Sequence, residues 1–142
     1  MKKRYWIGAL SALAGASLAA KLWLRPRDIE WSTNRDAVFH ADYSRFAEVH
    51  GARIHYQEAG ASDAQPLLLI HGFASSNLVW SKVLLKFADR GFRVIAPDLL
   101  GYGYSEKPQT LDYTITSQAK MVAGLIRNLG LEKLFLLGSS YG

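Results

Sequence analysis

The rhythm of hydrophobic and polar positions changes several times along the chain, and each change marks an element. Residues 5–20 carry no charge at all. If Lys21 extends its ammonium outward, the apolar run continues through Leu22-Trp23-Leu24 to about 20 residues, enough to cross a bilayer core. Residues 25–44 follow neither a helical nor a strand period and read as a polar linker. Phe46–Val49 and Ala52–Gln57 then flank His50-Gly51, a pair suited to the positive φ angles of a two-residue hairpin turn. In the second of these strands Ile54 and Tyr56 alternate with Arg53, His55 and Gln57, which predicts one buried and one polar face.

Beyond the loop at 60–64 the pattern becomes that of alternating strands and helices. Leu67-Leu68-Leu69-Ile70 is a continuous apolar run, as expected of a strand covered on both faces. Trp80, Val83, Leu84, Phe87 and Ala88 fall at helical spacing, predicting an amphipathic helix over 78–90 that stops at Gly91. Phe92–Ala96 is a second short buried strand. Ile115, Ala119, Val122, Ile126 and Leu129 form a second helical stripe ended by Gly130, and Leu134–Leu137 is the last strand. The fold class is therefore α/β: a hairpin at the front edge of parallel strands flanked by helices.

Composition sharpens this picture at the amino terminus. The 142 residues include 17 Lys and Arg against 12 Asp and Glu, but six of the basic residues and none of the acidic ones lie in 1–27. The remainder is close to neutral and has no basic stripe, so nucleic acid is not an expected partner. Lys2-Lys3-Arg4 ahead of the apolar run, with Tyr5, Trp6 and Trp23 at its ends, describes either an uncleaved membrane anchor or an exported signal segment with small-residue cleavage sites near 14–19. The expected location is a membrane or the space beyond it, as on the periplasmic side of a bacterial inner membrane. Arg25 and Arg27 nearly balance the charges on the other flank, so orientation stays open. There is no cysteine, which removes disulfides, thiolate metal sites and thiol nucleophiles together. His40, His50, His55 and His71 offer no helix-spaced ligand pair, and no metal or cofactor is expected. Gly101-Tyr102-Gly103 lacks the third glycine of a dinucleotide fingerprint, since position 106 is Glu.

The chemistry is concentrated at the end of the last strand. Gly138-Ser139-Ser140-Tyr141-Gly142 matches G-x-S-x-G, a pattern that about one chain in twenty or thirty of this length contains by chance. Position supplies what frequency does not. At the end of a buried strand, a sharp turn lifts one side chain above the sheet and leaves no room for Cβ atoms two residues away on either side. Only Ser140 has glycine at both of those positions, because Ser139 would need it at 137, where Leu stands. His71-Gly72-Phe73 follows the first buried strand, and Pro97-Asp98-Leu99-Leu100-Gly101-Tyr102-Gly103-Tyr104-Ser105 follows the second.

In motif, order and spacing, residues 45–142 resemble the α/β-hydrolase family. The resemblance implies a partial α/β-hydrolase fold: 1–24 as anchor or signal, 25–44 as linker, and 45–142 as the N-terminal part of the domain, truncated at the nucleophile elbow. It makes Ser140 the nucleophile and the backbone N–H groups of Phe73 and Tyr141 the oxyanion donors. His71, Gly72, Gly138 and Gly142 become supports of the oxyanion loop and the elbow. His71 is then a loop anchor and not the catalytic base, and Asp98 belongs to a loop of structural role, outside the triad. In the family the triad runs Ser, then Asp or Glu, then His, and only two residues follow Ser140, so the chain is expected to be an N-terminal portion lacking the acid and the base. Serine at 140 argues against the haloalkane-dehalogenase and epoxide-hydrolase branches, which use a carboxylate nucleophile. The expected activity is hydrolysis of a small carboxylic ester through an acyl-enzyme. A carbon–carbon bond hydrolase, a cofactor-free perhydrolase and a non-catalytic hydrolase-like binding module remain as alternatives.

Overall fold

A computed structural model describes residues 28–142, so the apolar leader and its anchor-or-signal reading lie outside the described residues. Among the described residues no helix is long and apolar enough to cross a membrane. Five strands form one mixed sheet: β1 Ser44–Val49, β2 Ala52–Ala59, β3 Gln65–Ile70, β4 Phe92–Pro97 and β5 Phe135–Gly138, in the order β1-β2-β4-β3-β5. The hairpin β1-β2 is antiparallel and joins β4 antiparallel, whereas β3 pairs parallel with both β4 and β5. His50 and Gly51 take φ of 49° and 78°, the left-handed pair that the two-residue turn requires.

Alternation along the central strands divides the core into two layers. Leu68, Ile70 and Ile95 meet Met121 and Leu125 of the long helix Ile115–Asn128, whereas Leu67, Leu69, Val94 and Ala96 meet Leu84 on the other side. Both faces are covered, as continuous apolar runs require. At the sheet edge, β5 leaves Phe135, Leu136 and Leu137 exposed.

Three expectations from the pattern are corrected. The helix expected over 78–90 is broken into a 3-10 turn, Asn77–Trp80, and a short α-helix, Leu84–Ala88. Ser76 caps the first piece, and the Asn77 backbone N–H is drawn to the buried Asp98 carboxylate, which sets the chain direction there. The helix Ile115–Asn128 has its expected limits, capped by the Thr114 hydroxyl and ended at Gly130 with φ 65°, but its buried face is rotated. Gln118, Met121, Gly124 and Leu125 are buried and Ile115 is largely exposed, because the helix leans toward the hairpin. There Gly124 has no room for a Cβ against the Val49 side chain and the His50 ring, and Asn128 donates to the Glu48 carbonyl. Gly124→Ala is expected to be net destabilising by up to about 2 kcal/mol, an overpacking cost of about 1–3 kcal/mol being partly offset by a helix-propensity gain of about 1 kcal/mol. Urea unfolding measures the sign.

The third correction concerns the polar face of β2, where His55 and Gln57 are buried rather than solvated. Their cover is the stretch that the pattern reads as a linker, whose described part is folded onto the hairpin. Its elements are α1 Trp31–Asn34 and two 3-10 turns, Arg35–Ala37 and Ala41–Tyr43. Trp31 sets its ring 5.5 Å from Phe46, 5.3 Å from His55 and 5.1 Å from Tyr104. Gln57 donates to the Phe39 and His40 carbonyls, and His40 Nε2 bonds the Ser81 carbonyl at 2.9 Å. At the start of the segment, the Asp28 carboxylate accepts the Lys107 backbone N–H at 2.9 Å. Burial pulls the Lys107 ammonium below the ordinary lysine pKa against the pull of Asp28 and Asp98, and it donates to the Gly103 and Ser105 carbonyls. Burial pushes the neighbouring Tyr113 phenol up, helped by the Asp28 and Glu106 charges.

Candidate active site

The parallel strands β3, β4 and β5 deliver their C-terminal ends to one side, and the sequence-predicted site residues follow from there. Ile70 and Gly138 are register partners, so the turn after β5 and the loop after β3 start side by side. The Ser139 N–H donates to the Ile70 carbonyl at 3.0 Å, and the Gly142 N–H closes back on the Ser139 carbonyl at 3.1 Å. Between them Ser140 sits at φ 58°, a left-handed conformation that serine adopts only under local constraint. The turn explains both flanking glycines. A Cβ on Gly138 would collide with the Gly142 backbone, and one on Gly142 with the Ile70 carbonyl and side chain.

Gly72 completes the approach. A Cβ there would stand 3.0 Å from the Ser139 carbonyl oxygen, 3.2 Å from Ser140 Cβ and 3.7 Å from its Oγ, so the loop lies tightly against the serine and a larger residue would push the turn by a few tenths of an ångström. Ala74, at φ 53°, kinks the chain just after Phe73. Among the described residues, no acceptor takes the N–H of Phe73 or of Tyr141. The Phe73 side chain projects outward, 72% exposed, with Tyr102 and Tyr141 edge-on at 6.3 and 6.1 Å.

His71 is buried with both ring nitrogens committed. The Leu99 N–H donates to Nε2 at 2.9 Å, which leaves the proton on Nδ1 to reach the Gly72 carbonyl at 2.8 Å. The ring therefore fastens the loop after β3 to the loop after β4. Among the described residues, no histidine or carboxylate hydrogen-bonds to Ser140 Oγ, nor does any group of His, Asp or Glu stand close enough to hold a metal ion.

Asp98, buried like His71, is the hub of the neighbouring loop. Its carboxylate accepts from His55 Nδ1 at 2.8 Å, the Asn77 N–H at 2.7 Å and the Tyr104 N–H at 2.9 Å. Its own carbonyl takes the Ser105 hydroxyl at 2.7 Å, and Gly103 packs so closely on the carboxylate that no Cβ would fit. Gln118 adds a two-point clasp, its amide both donating to and accepting from the Leu100 backbone. Sequence reading missed the roles of His55, Gln57 and Gln118. The available signal was slight: polar residues inside otherwise apolar segments, whose partners lie 17 to 43 residues away.

A strained serine between two obligatory glycines, with a glycine loop pressed against it, is matched by an α/β hydrolase fold family model over residues 65–142. The chain belongs to the α/β-hydrolase family. Among its relatives, the mesoderm-specific transcript protein of Mus musculus is 34% identical over 99% of this chain and 42% of its own length. Haloalkane dehalogenase 2 of Mycobacterium bovis is 33% identical over 70% of this chain and 34% of its own. The crystal structure of an epoxide hydrolase from Vigna radiata superposes with a TM-score of 0.65 at 35% identity, covering 70% of this chain and 32% of that one. The chain thus spans less than half the length of the curated relatives it matches.

Proposed function

We propose that the protein is a serine hydrolase of carboxylic esters, with Ser140 as its nucleophile. The observation that carries this reading is the left-handed Ser140 with the Gly72 backbone against its Oγ. In the proposed step, Oγ attacks the ester carbonyl and its proton passes to a general base. The carbonyl oxygen becomes an oxyanion held by the Phe73 and Tyr141 N–H groups. Collapse of the intermediate expels the alcohol, and water then releases the acid from the acyl-serine. Two fixed donors suit such an oxyanion, and one alone has been worth roughly 3–4 kcal/mol in a comparable site.

The named relatives include epoxide hydrolases and a haloalkane dehalogenase, and they favour a second reading as a hydrolase of epoxides or carbon–halogen bonds. The serine hydroxyl at position 140 favours the ester. Assay of the full-length protein against p-nitrophenyl esters, styrene oxide and a bromoalkane separates the two. Turnover of the ester alone supports the proposal, and turnover of only the epoxide or halide overturns it. Residues 28–142 by themselves hold no base within reach of Ser140, so they are expected to show at most the roughly 10³–10⁴-fold over water that an oxyanion hole and binding supply. Triad-level turnover by this segment would show that a residue within it serves as the base. The leader, with its basic start and aromatic ends, is proposed to hold the protein at a membrane, on the exported side. Fractionation and sequencing of the mature amino terminus test this, and a soluble product starting near residue 17 or 20 would replace the anchor with a cleaved signal.

A further inference from the structure

His71 does more than join two loops, because of the atom its ring proton reaches. The Gly72 carbonyl, 2.8 Å from Nδ1, and the N–H of Phe73 belong to one peptide unit. That peptide is trans and planar, so its C=O and N–H point in opposite directions and turn together. An oxygen pinned on one side therefore fixes the direction of the N–H on the other. Without the pin the plane would be loosely held: Gly72 has no Cβ to restrict it, and among the described residues nothing accepts from the Phe73 N–H. The pin itself stands in a rigid frame. His71 directly follows β3, and its ring is buried with the Tyr102 ring edge-on at 5.4 Å. Its Nε2 accepts the Leu99 N–H at 2.9 Å, and the next residue, Leu100, is clasped at both backbone groups by Gln118 of the helix Ile115–Asn128. The bonds form a continuous path from the helix through Gln118, the loop after β4 and the imidazole to the Gly72 carbonyl. Only the neutral ring protonated at Nδ1 completes it, since Nε2 must accept while Nδ1 donates. Donation into the carbonyl also polarises the peptide and strengthens its N–H as a donor, by about 10–30% per bond.

We propose that His71 is a positioning residue for the oxyanion: through the Gly72–Phe73 peptide it aims and polarises the Phe73 N–H for the charge that forms as Ser140 attacks. The proposal rests on the ester-hydrolase reading of Ser140, and it gives His71 a part in the rate as well as in stability. A histidine that only glued two loops together would affect folding and leave the turnover of the folded protein alone.

Two substitutions in the full-length protein separate the two bonds of the ring. His71→Gln keeps an acceptor for the Leu99 N–H near the Nε2 position and loses the donor to Gly72. His71→Asn keeps a donor near the Nδ1 position and loses the acceptor. With p-nitrophenyl acetate, kcat of His71→Gln should fall at least tenfold, toward the roughly 10²–10³-fold lost with a whole oxyanion donor, while KM changes by less than about threefold. The inhibition constant of an aryl trifluoromethyl ketone should rise by the factor by which kcat falls. Its adduct forms one bond from Ser140 Oγ to the carbonyl carbon, passes the hydroxyl proton to the general base, and leaves an oxyanion like that of the substrate. His71→Asn should recover kcat at least fivefold over His71→Gln, although it strands the Leu99 N–H and should unfold at lower urea. A kcat for His71→Asn at or below that of His71→Gln, a kcat for His71→Gln within about threefold of the parent, or a loss confined to KM would overturn the proposal. Nuclear magnetic resonance of the unsubstituted protein keeps the test open if neither variant folds. The His71 ring is identified by nitrogen–nitrogen coupling across its bond from the Leu99 N–H. Its Nδ1–H proton should move downfield when the trifluoromethyl ketone adduct forms, because the peptide it donates to is then polarised from both ends, and an unmoved proton would overturn the coupling. Ester turnover that survives Ser140→Ala would remove the Ser140 reading and this proposal with it. Turnover lost in Ser140→Ala beside an undiminished kcat in His71→Gln would remove the role of His71 alone.

Discussion

Ser140→Ala in the full-length protein is expected to abolish covalent labelling by a fluorophosphonate probe and to lower ester turnover by roughly 10⁶-fold, the loss seen when a serine triad loses its nucleophile. Ser139→Ala should retain most of both activities. The two serines are adjacent and chemically identical, so the contrast isolates geometry. Ser140 holds the left-handed apex at φ 58°, whereas the Ser139 backbone is committed to the Ile70 carbonyl through its N–H and to the Gly142 N–H through its carbonyl. Mass-spectrometric mapping of the labelled peptide reads the outcome directly. Labelling that survives Ser140→Ala and is lost in Ser139→Ala would move the nucleophile by one residue and undo the proposed site.

Asp98→Ala should cost about 3–5 kcal/mol of stability, the scale for removing one partner of a buried ion pair or its equivalent. The carboxylate is buried and accepts from His55, Asn77 and Tyr104 at once, so its loss strands two buried donors and a part-buried third. The damage should also spread to the proposed oxyanion loop. Leu99, the next residue, supplies the N–H that holds His71, and His71 in turn holds the Gly72 carbonyl. Urea unfolding of the protein gives the first effect, and fluorophosphonate labelling rate at a temperature below the transition gives the second. A loss below about 1 kcal/mol would mean that Asp98 is not the structural hub that its hydrogen bonds describe.

Local pattern determined most of the architecture. Short apolar runs marked β3 and β4, because strands covered on both faces have no polar side to show, and the same kind of run marked β5, although Phe135, Leu136 and Leu137 lie exposed at the sheet edge. The turn at His50-Gly51 and the stops at Gly91 and Gly130 were legible because left-handed φ angles of 49° to 85° select a few residue types whatever surrounds them. The glycines at 138 and 142 singled out Ser140 over Ser139 for the same kind of reason: backbone crowding is a short-range constraint and leaves a short-range mark. Tertiary structure alone decided what depends on partners far away in the chain. His55 and Gln57 look solvated in the alternation of β2, and they are buried because residues 28–44 fold back over them and because Asp98 lies 43 positions away from His55. The face that the helix Ile115–Asn128 buries was set by Val49 and His50 against Gly124, a steric fit that no periodicity in the helix itself encodes. The placing of Gly72 beside Ser140 belongs to the same class. It needs the parallel register of β3 on β5, and register is a property of two strands that neither sequence segment carries by itself.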